Sequence, residues 1–212
     1  MRTILVINAS PNHNNSYSRL LTEHFVDRCK QHNPNDIFIF RELGNVNIPH
    51  VNQHWVKAAF TPENLRSCED KQALSFSDEL VKELQDADVI VIASPMHNLS
   101  VPSTLKAYID QVIRMGVTTS LVPGTLGSPY VGRLANKKAY LFLVRGGYGF
   151  GSGEIYEHMD FQEPYLKAVL QMLGVTDITS VTMNYTTMQE ALRQDSYSQA
   201  QAQIDALTPP EK

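Results

Sequence analysis

The chain has 212 residues, of which 42% are hydrophobic and 19% are charged, a composition typical of one globular domain with a sizeable core. The formal net charge is −4 and no run of lysine or arginine occurs, which argues against a nucleic-acid-binding groove. The apolar run near Met1 is too short for a signal peptide, and no other run is long enough to span a membrane, so we expect a cytoplasmic protein.

Short apolar runs and helical patterns alternate along the chain. Runs rich in β-branched or aromatic residues predict strands over 3–8, 36–41, 89–93, 139–144 and 178–183. Apolar residues at helical spacing predict helices over 20–32, 76–84, 105–115, 165–173 and 188–207, with Ser100 as the N-cap of the third. Residues 43–66 and 116–137 have no clear period and are predicted to be long loops, the first with room for a short helix.

This alternation predicts an α/β fold built on a parallel sheet with right-handed crossovers and helices on both faces. Five strands leave no room for a second Rossmann half, which favours the flavodoxin-like strand order 2-1-3-4-5. We expect one domain over 1–207, followed by a frayed C-terminal tail at 208–212.

The loop after the first strand, residues 9–18, is rich in hydroxyl and amide side chains and contains no glycine. It therefore matches neither the GxGxxG dinucleotide fingerprint nor a P-loop. The hydroxyls of Ser10, Ser16 and Ser18 would lie beside a helix N-terminus, whose free amides and positive dipole attract anions. A single phosphate monoester, as in FMN, suits this loop better than a pyrophosphate. The alternative is that Ser16 or Ser18 serves only as an N-cap.

Two further segments follow strands that should end at the same edge of the sheet. Pro95-Met96-His97-Asn98 offers a thioether and an imidazole that can pack on an aromatic ring, and an amide that can donate and accept hydrogen bonds. The glycine-rich stretch 146–153 lets the backbone approach a ligand closely, and Arg145 can place positive charge beside it. The alternatives are an ordinary turn and a flexible loop with a surface arginine. In open α/β sheets, ligands bind outside the carboxyl ends of the strands.

Two short patterns imitate catalytic or metal sites without the residues that such sites need. His50 and His54 have the spacing of a metal-binding pair, but Pro49 precedes them and no HExxH motif is present, so no metal site is predicted. Residues 103–106 match SxxK, yet neither SDN nor KTG occurs in the chain.

Three segments, ILVINASP…SYSRLL within 4–21, ASPMHNLSVPSTLKAYID at 93–110 and LVRGGYG at 143–149, together resemble the FMN-dependent NADH-azoreductases. These enzymes belong to the flavodoxin-like quinone reductases. The resemblance implies a homodimer whose FMN sites lie at the subunit interface. It also implies a ping-pong reaction in which NADH or NADPH gives a hydride to FMN, and a quinone or an azo compound then takes two electrons.

The resemblance assigns three groups of residues to FMN. They are Ser10, Ser16, Tyr17 and Ser18 for the phosphate, Pro95, Met96, His97, Asn98 and Leu99 for the isoalloxazine ring, and Val144, Arg145, Gly146 and Gly147 for its pyrimidine edge. The backbone amide of Asn98 is expected to donate to N5, and those of Gly146 and Gly147 to lie near N1 and O2, with Arg145 adding positive charge. No catalytic side chain is expected, because FMN carries the chemistry.

The acceptor pocket and two departures from the family pattern complete this interpretation. Tyr130, Tyr148, Phe150 and Phe161 are candidates for the wall of the acceptor pocket, although aromatic residues are as common in cores and dimer interfaces. The family usually has tyrosine where this chain has His97, and often serine or threonine where it has Val144. The first difference affects packing on the ring and the flavin potential, and the second removes one side-chain hydrogen bond.

Two other functions are compatible with the same architecture. A flavodoxin-type electron carrier would bind FMN and meet protein partners, but such carriers tend to be strongly acidic and this chain has a net charge of only −4. A phosphoacceptor receiver domain needs paired acidic residues after the first strand, where this chain has Asn8-Ala9-Ser10.

Overall fold

The computed structural model describes residues 1–122 and 129–207. The helices are α1 (Tyr17–His32), α2 (Gln53–Phe60), α3 (Cys68–Asp86), α4 (Ser103–Val112), α5 (Glu163–Leu173) and α6 (Glu190–Leu207); the strands are β1 (Thr3–Asn8), β2 (Ile37–Glu42), β3 (Val89–Pro95), β4 (Thr119–Leu121), β5 (Tyr130–Gly132), β6 (Lys138–Val144) and β7 (Asp177–Met183). Within these described residues no helix is long and apolar enough to cross a membrane. The predicted tail at 208–212 lies outside the described residues.

Five strands form one parallel sheet in the order β2-β1-β3-β6-β7. Counted along this sheet alone, the order is the predicted 2-1-3-4-5, which is confirmed. Side chains alternate between the two faces: along β1, Ile4 and Val6 pack with α1 and α6, while Leu5 and Ile7 pack with α3, α4 and α5. Because helices cover both faces, the central strands carry apolar residues on both faces, as the sequence indicated.

The prediction of a loop over 116–137 was wrong for two short segments. β4 and β5 pair antiparallel as a separate two-stranded sheet, and residues 123–128 between them lie outside the described part of the chain. This sheet packs against the end of α5, where a Cβ atom on Gly132 would lie 1.9 Å from the nitrogen of Gly174. Strands of three residues are too short to show a period in sequence.

The predicted N-cap of α4 was also wrong. The helix begins at Ser103 with Pro102 at its N-cap position, and no side chain caps it. The hydroxyl of Ser100 instead donates to the carbonyl oxygen of Phe161 at 3.2 Å. Ser100 cannot serve as the cap because it lies three residues before the first helical residue, where its backbone pairs with that of His97.

Candidate functional site

Loops that follow β1, β3, β6 and β7 meet at the carboxyl edge of the sheet. They enclose a cavity of about 270 Å³. Its lining includes the predicted residues Ser10, Ser16, Tyr17, Ser18, Pro95, His97 and Val144. The fold therefore brings the loop predicted to bind a phosphate together with Pro95 and His97, at the turn predicted to contact a ring. The other residues predicted to contact the ring are not among the lining residues of this cavity: Met96, Asn98, Leu99, Arg145, Gly146 and Gly147.

The first loop forms the polar end of this cavity. Ser16 is the N-cap of α1, accepting a hydrogen bond from the backbone amide of Arg19 at 3.5 Å, and its hydroxyl lies 3.0 Å from that of Ser18. Ser16 therefore does cap the helix, but it also lines the cavity, so capping is not its only place in the structure. The first-turn amides of a helix have no partner within the helix, and the first turn of α1 contains no acidic residue. This end of the cavity can accommodate an anion.

Arg19 fixes the shape of the first loop from behind. Its guanidinium donates to the carbonyl oxygen of Ser10 at 3.0 Å and to that of Asn12 at 3.2 Å, and it forms an ion pair with Glu42. Arg19 is itself buried. These charge-assisted hydrogen bonds hold the backbone of Ser10 and Asn12 in place at the polar end of the cavity.

The turn after β3 has an unusual backbone. His97 and Ser100 exchange two backbone hydrogen bonds of 2.9 Å, and the two residues between them, Asn98 and Leu99, have φ values of +49° and +69°. Positive φ at both central positions is the feature of a type I′ turn. Asparagine tolerates this region, whereas leucine in it costs roughly 1–2 kcal/mol. Strain of this kind persists only where surrounding contacts impose it, often at binding sites.

The guanidinium of Arg145, predicted to place positive charge beside a ligand, forms ion pairs with neighbouring carboxylates. The Arg145 side chain is 2% exposed, and the guanidinium pairs with Asp160 at 2.7 Å and Glu163 at 3.5 Å. Burial opposes ionisation of Glu163, but Lys167, whose ammonium lies 2.7 Å away, and the charge of Arg145 lower its pKa overall. We therefore correct the expectation that this guanidinium offers a free charge to a ligand, because a buried arginine requires a carboxylate partner.

Gly146 and Gly147 are fixed by the segment that follows β7. The amide of Thr187 donates to the carbonyl oxygen of Gly146 at 3.2 Å, and the amide of Tyr185 donates to that of Gly147 at 3.1 Å. A Cβ atom on Gly146 would lie 3.1 Å from the Thr187 methyl carbon. The glycines therefore permit two chain segments to approach closely at the edge of the cavity.

The four predicted acceptor-pocket residues divide into two groups. Tyr148, Phe150 and Phe161 lie in the segment between β6 and α5; Tyr148 stacks on Tyr185 with ring centroids 5.2 Å apart, and Phe161 is 57% exposed. Tyr130 lies in β5, within the separate two-stranded sheet. A second cavity of about 490 Å³ adjoins the turn and shares His97 with the first.

Several residues of the site were not predicted. The cavity lining also includes Pro11, Asn12, Asn15 and Thr186, and Arg19 supports it from behind. Thr186 could have been predicted from the rule that ligands bind outside the carboxyl ends of parallel strands, because it follows β7 as Ser10 follows β1. Within residues 1–122 and 129–207, no group of three or more histidine, cysteine or acidic side chains is placed to hold a metal.

Comparisons with known proteins match this architecture over almost the whole chain. A family model for the flavodoxin-like fold matches residues 2–207. FMN-dependent NADH:quinone oxidoreductase from Nostoc punctiforme is 39% identical over 208 residues, and FMN-dependent NAD(P)H:quinone oxidoreductase 1 from Pseudomonas aeruginosa is 38% identical over 208 residues; each alignment covers 98% of both chains. The solved structure of an FMN-dependent NADH-azoreductase from Bacillus anthracis in complex with FMN superposes with a TM-score of 0.84 at 22% identity, covering 99% of this chain and 100% of that chain.

Proposed function

Because the chain belongs to the family of proteins with a flavodoxin-like fold and is 39% identical to an FMN-dependent NADH:quinone oxidoreductase, we propose that it is an FMN-dependent NAD(P)H oxidoreductase. Its acceptors are quinones, which it reduces to hydroquinones, and aromatic azo compounds, which it cleaves to amines. The observation that carries the proposal is the cavity at the carboxyl edge, where the polar loop after β1 faces Pro95 and His97 after β3 and Val144 at the end of β6.

The residues at the polar end fit the phosphate of FMN. Ser10, Ser16 and Ser18 supply hydroxyl donors, and the first turn of α1 supplies free amides and the positive end of the helix dipole. Ser10 and Ser16 are buried, so their hydroxyls are held close to fixed positions.

The residues at the other end fit a flat aromatic ring. When bound, FMN would supply the redox chemistry by taking a hydride from NADH or NADPH and giving it to the acceptor. Pro95, Met96, His97 and Leu99 would pack around the ring, and the amide of Asn98 would donate at N5. The amides of Gly146 and Gly147 would donate near N1 and O2, where negative charge develops on reduction, and Val144 and Arg145 would contribute backbone contacts.

We extend the proposal to assembly, domain organisation and location. Exposed aromatic residues beside the cavity, Tyr148 and Phe161, support a homodimer in which a second copy covers the open side of the site and helps to form the acceptor pocket with Phe150 and Tyr130. The proposed enzyme is a single domain over 1–207 and acts in the cytoplasm.

The test is an anaerobic titration of the FMN-loaded protein with NADH and, separately, with NADPH, followed by visible absorbance. We expect the flavin band to bleach and to return when benzoquinone or an azo dye is added. If neither nicotinamide reduced the flavin while dithionite gave a stable one-electron form, the protein would be an electron carrier instead. A protein that took up no FMN would contradict both interpretations.

A further inference from the structure

One short segment before α5 contacts both loops that are expected to face the isoalloxazine ring. We call Asp160, Phe161 and Gln162 the 160–162 clamp. Gln162 is fully buried and Asp160 is 8% exposed. The first carboxylate oxygen of Asp160 accepts hydrogen bonds from the amides of Gln162 at 2.9 Å and Glu163 at 3.2 Å, so the clamp is anchored to the start of α5.

The clamp holds the end of β3 and the turn after it through three hydrogen bonds. The amide of Phe161 donates to the carbonyl oxygen of Leu99 at 3.0 Å, and the hydroxyl of Ser100 donates to that of Phe161 at 3.2 Å. The side-chain amide of Gln162 donates to the carbonyl oxygen of Ser94 at 3.0 Å. Leu99 is the residue with the strained positive φ, so the clamp contributes contacts that keep the turn in this conformation.

The clamp holds the loop after β6 through one arginine. Arg145 donates to the second carboxylate oxygen of Asp160 at 2.7 Å and to the side-chain oxygen of Gln162 at 3.4 Å. Its guanidinium is buried, so these partners decide both its position and the net charge around it. The backbone of Arg145 leads directly into Gly146 and Gly147.

We infer that the 160–162 clamp positions the two ring-facing loops relative to each other, and that Asp160 and Glu163 set the potential of bound FMN by neutralising Arg145. The inference rests on the proposed function. Gln162 and Asp160 are positioning residues, since they act through Ser94, Leu99 and Arg145. Without the clamp the loops would lose their fixed spacing, and without the carboxylates an uncompensated positive charge would favour the reduced, anionic ring.

Three variants separate geometry from charge. Gln162→Met removes the hydrogen bonds to Ser94 and Arg145 without changing charge, so both oxidised and reduced FMN should bind more weakly, by about tenfold (~1.4 kcal/mol), with the potential nearly unchanged. Glu163→Gln removes the carboxylate that lies 3.5 Å from Arg145 and 2.7 Å from Lys167, so two cations then face the single carboxylate of Asp160. The clamp stays intact, so the potential should become more positive while oxidised FMN binds as before. Asp160→Asn should show both effects.

Asp78→Asn provides a matched control. Asp78 pairs at 3.0 Å with Arg114, another buried arginine, between α3 and the end of α4 and outside the lining of the cavity. We expect this variant to lower the melting temperature without changing FMN affinity or potential. Affinity is measured by quenching of FMN fluorescence, the midpoint potential by equilibration with a reference dye, and folding by circular dichroism.

Two results would overturn the inference. One is that Gln162→Met and Asp160→Asn bind FMN as the Asp78→Asn control does. The other is that Glu163→Gln leaves the midpoint potential of bound FMN at the wild-type value. The Glu163 side chain is partly exposed, so we expect this variant to fold. Failure of the wild-type protein to bind FMN, or to be reduced by either nicotinamide, would instead contradict the proposed function, so the two failures are distinguishable.

Discussion

Gly44 packs directly behind Ser10, so that a Cβ atom on Gly44 would lie 2.0 Å from the Ser10 carbonyl oxygen and 2.8 Å from the Cα atom of Pro11. Both contacts are with backbone, which cannot rotate away as a side chain can. Gly44→Ala should therefore displace the first loop, weaken FMN binding by about tenfold or more, and destabilise the fold by roughly 1–3 kcal/mol. Fluorescence titration with FMN and thermal unfolding measure the two effects.

Gly116→Ala is the control for this prediction. A Cβ atom on Gly116 would meet no atom within 4 Å, although the positive φ of +80° disfavours alanine. We expect a loss of stability of about 1 kcal/mol from the backbone alone, with FMN affinity unchanged. Equal losses of affinity in the two variants would show that the contact with Ser10 is irrelevant to binding.

The role of Gly44 could not be predicted from the sequence, although several strands could. The strands β1, β3 and β6 were predictable because buried parallel strands are continuous apolar runs, and the polar segments after them mark the carboxyl edge. Gly44 follows β2, and nothing in its neighbourhood indicates that its backbone approaches Ser10, thirty-four residues earlier. Such a contact depends on the packing of neighbouring loops and leaves no local pattern.

The ion-pair partners of Arg145 could not be predicted from the sequence either. The sequence places it after β6, beside glycines, and this indicated a charge available to a ligand. Its partner Asp160 is fifteen residues further along, in a segment without clear periodicity, and only the folded chain brings the two within 2.7 Å. A buried arginine needs a carboxylate partner, so this ion pair follows from the burial of Arg145. The periodicity of a sequence predicts burial for apolar residues, but it does not predict burial for a single arginine.

The turn at Asn98 allows a test with a matched pair of variants. Asn98 has a φ of +49°, so glycine should replace it without strain, while the β-branched valine strongly disfavours that region. We expect Asn98→Gly to bind FMN as the wild type does, because its backbone amide remains. Asn98→Val should weaken binding and lower the free energy of unfolding by roughly 1–3 kcal/mol.

Titration with FMN and urea unfolding check this pair. If Asn98→Gly lost affinity while its stability was unchanged, the side-chain amide and not the backbone would be the group that FMN needs. If both variants behaved as the wild type, the strained turn would have no part in binding.

His97 provides a prediction about ring packing. It lines the cavity together with Val144 and Thr186, at the position where the resemblance to the azoreductases leads us to expect tyrosine. An aromatic pair contributes about 0.5–1.5 kcal/mol beyond the area that it buries. His97→Tyr should therefore bind FMN up to roughly tenfold more tightly. His97→Leu, which adds apolar surface without a ring, is the control; an equal gain in the two variants would attribute the effect to burial and not to stacking.

The ion pair between Arg2 and Asp36 predicts how stability depends on pH. These residues precede β1 and β2, and the backbone amide of Arg2 and its guanidinium both donate to the carboxylate of Asp36, at 3.0 and 3.1 Å. Burial alone would raise the pKa of Asp36, but the hydrogen bonds from Arg2 outweigh it and lower the pKa below its ordinary value of 3.8. The pair therefore stabilises the fold fully above the pKa of the unfolded chain, and the contribution is lost as the pH falls through the lower pKa of the folded chain.

Asp36→Asn should consequently make the melting temperature less dependent on pH in the acidic range. Melting temperatures measured from pH 7 down to pH values below 3.8, the ordinary pKa of an aspartate, should fall more steeply for the wild type than for the variant, and the two curves should converge at the acid end. Asp86→Asn is the control, because Asp86 forms an exposed pair with Lys82 one helical turn away, and such pairs contribute little to stability. Parallel curves for the wild type and Asp36→Asn would contradict this prediction, because they would mean that Arg2 does not hold the carboxylate in its charged form.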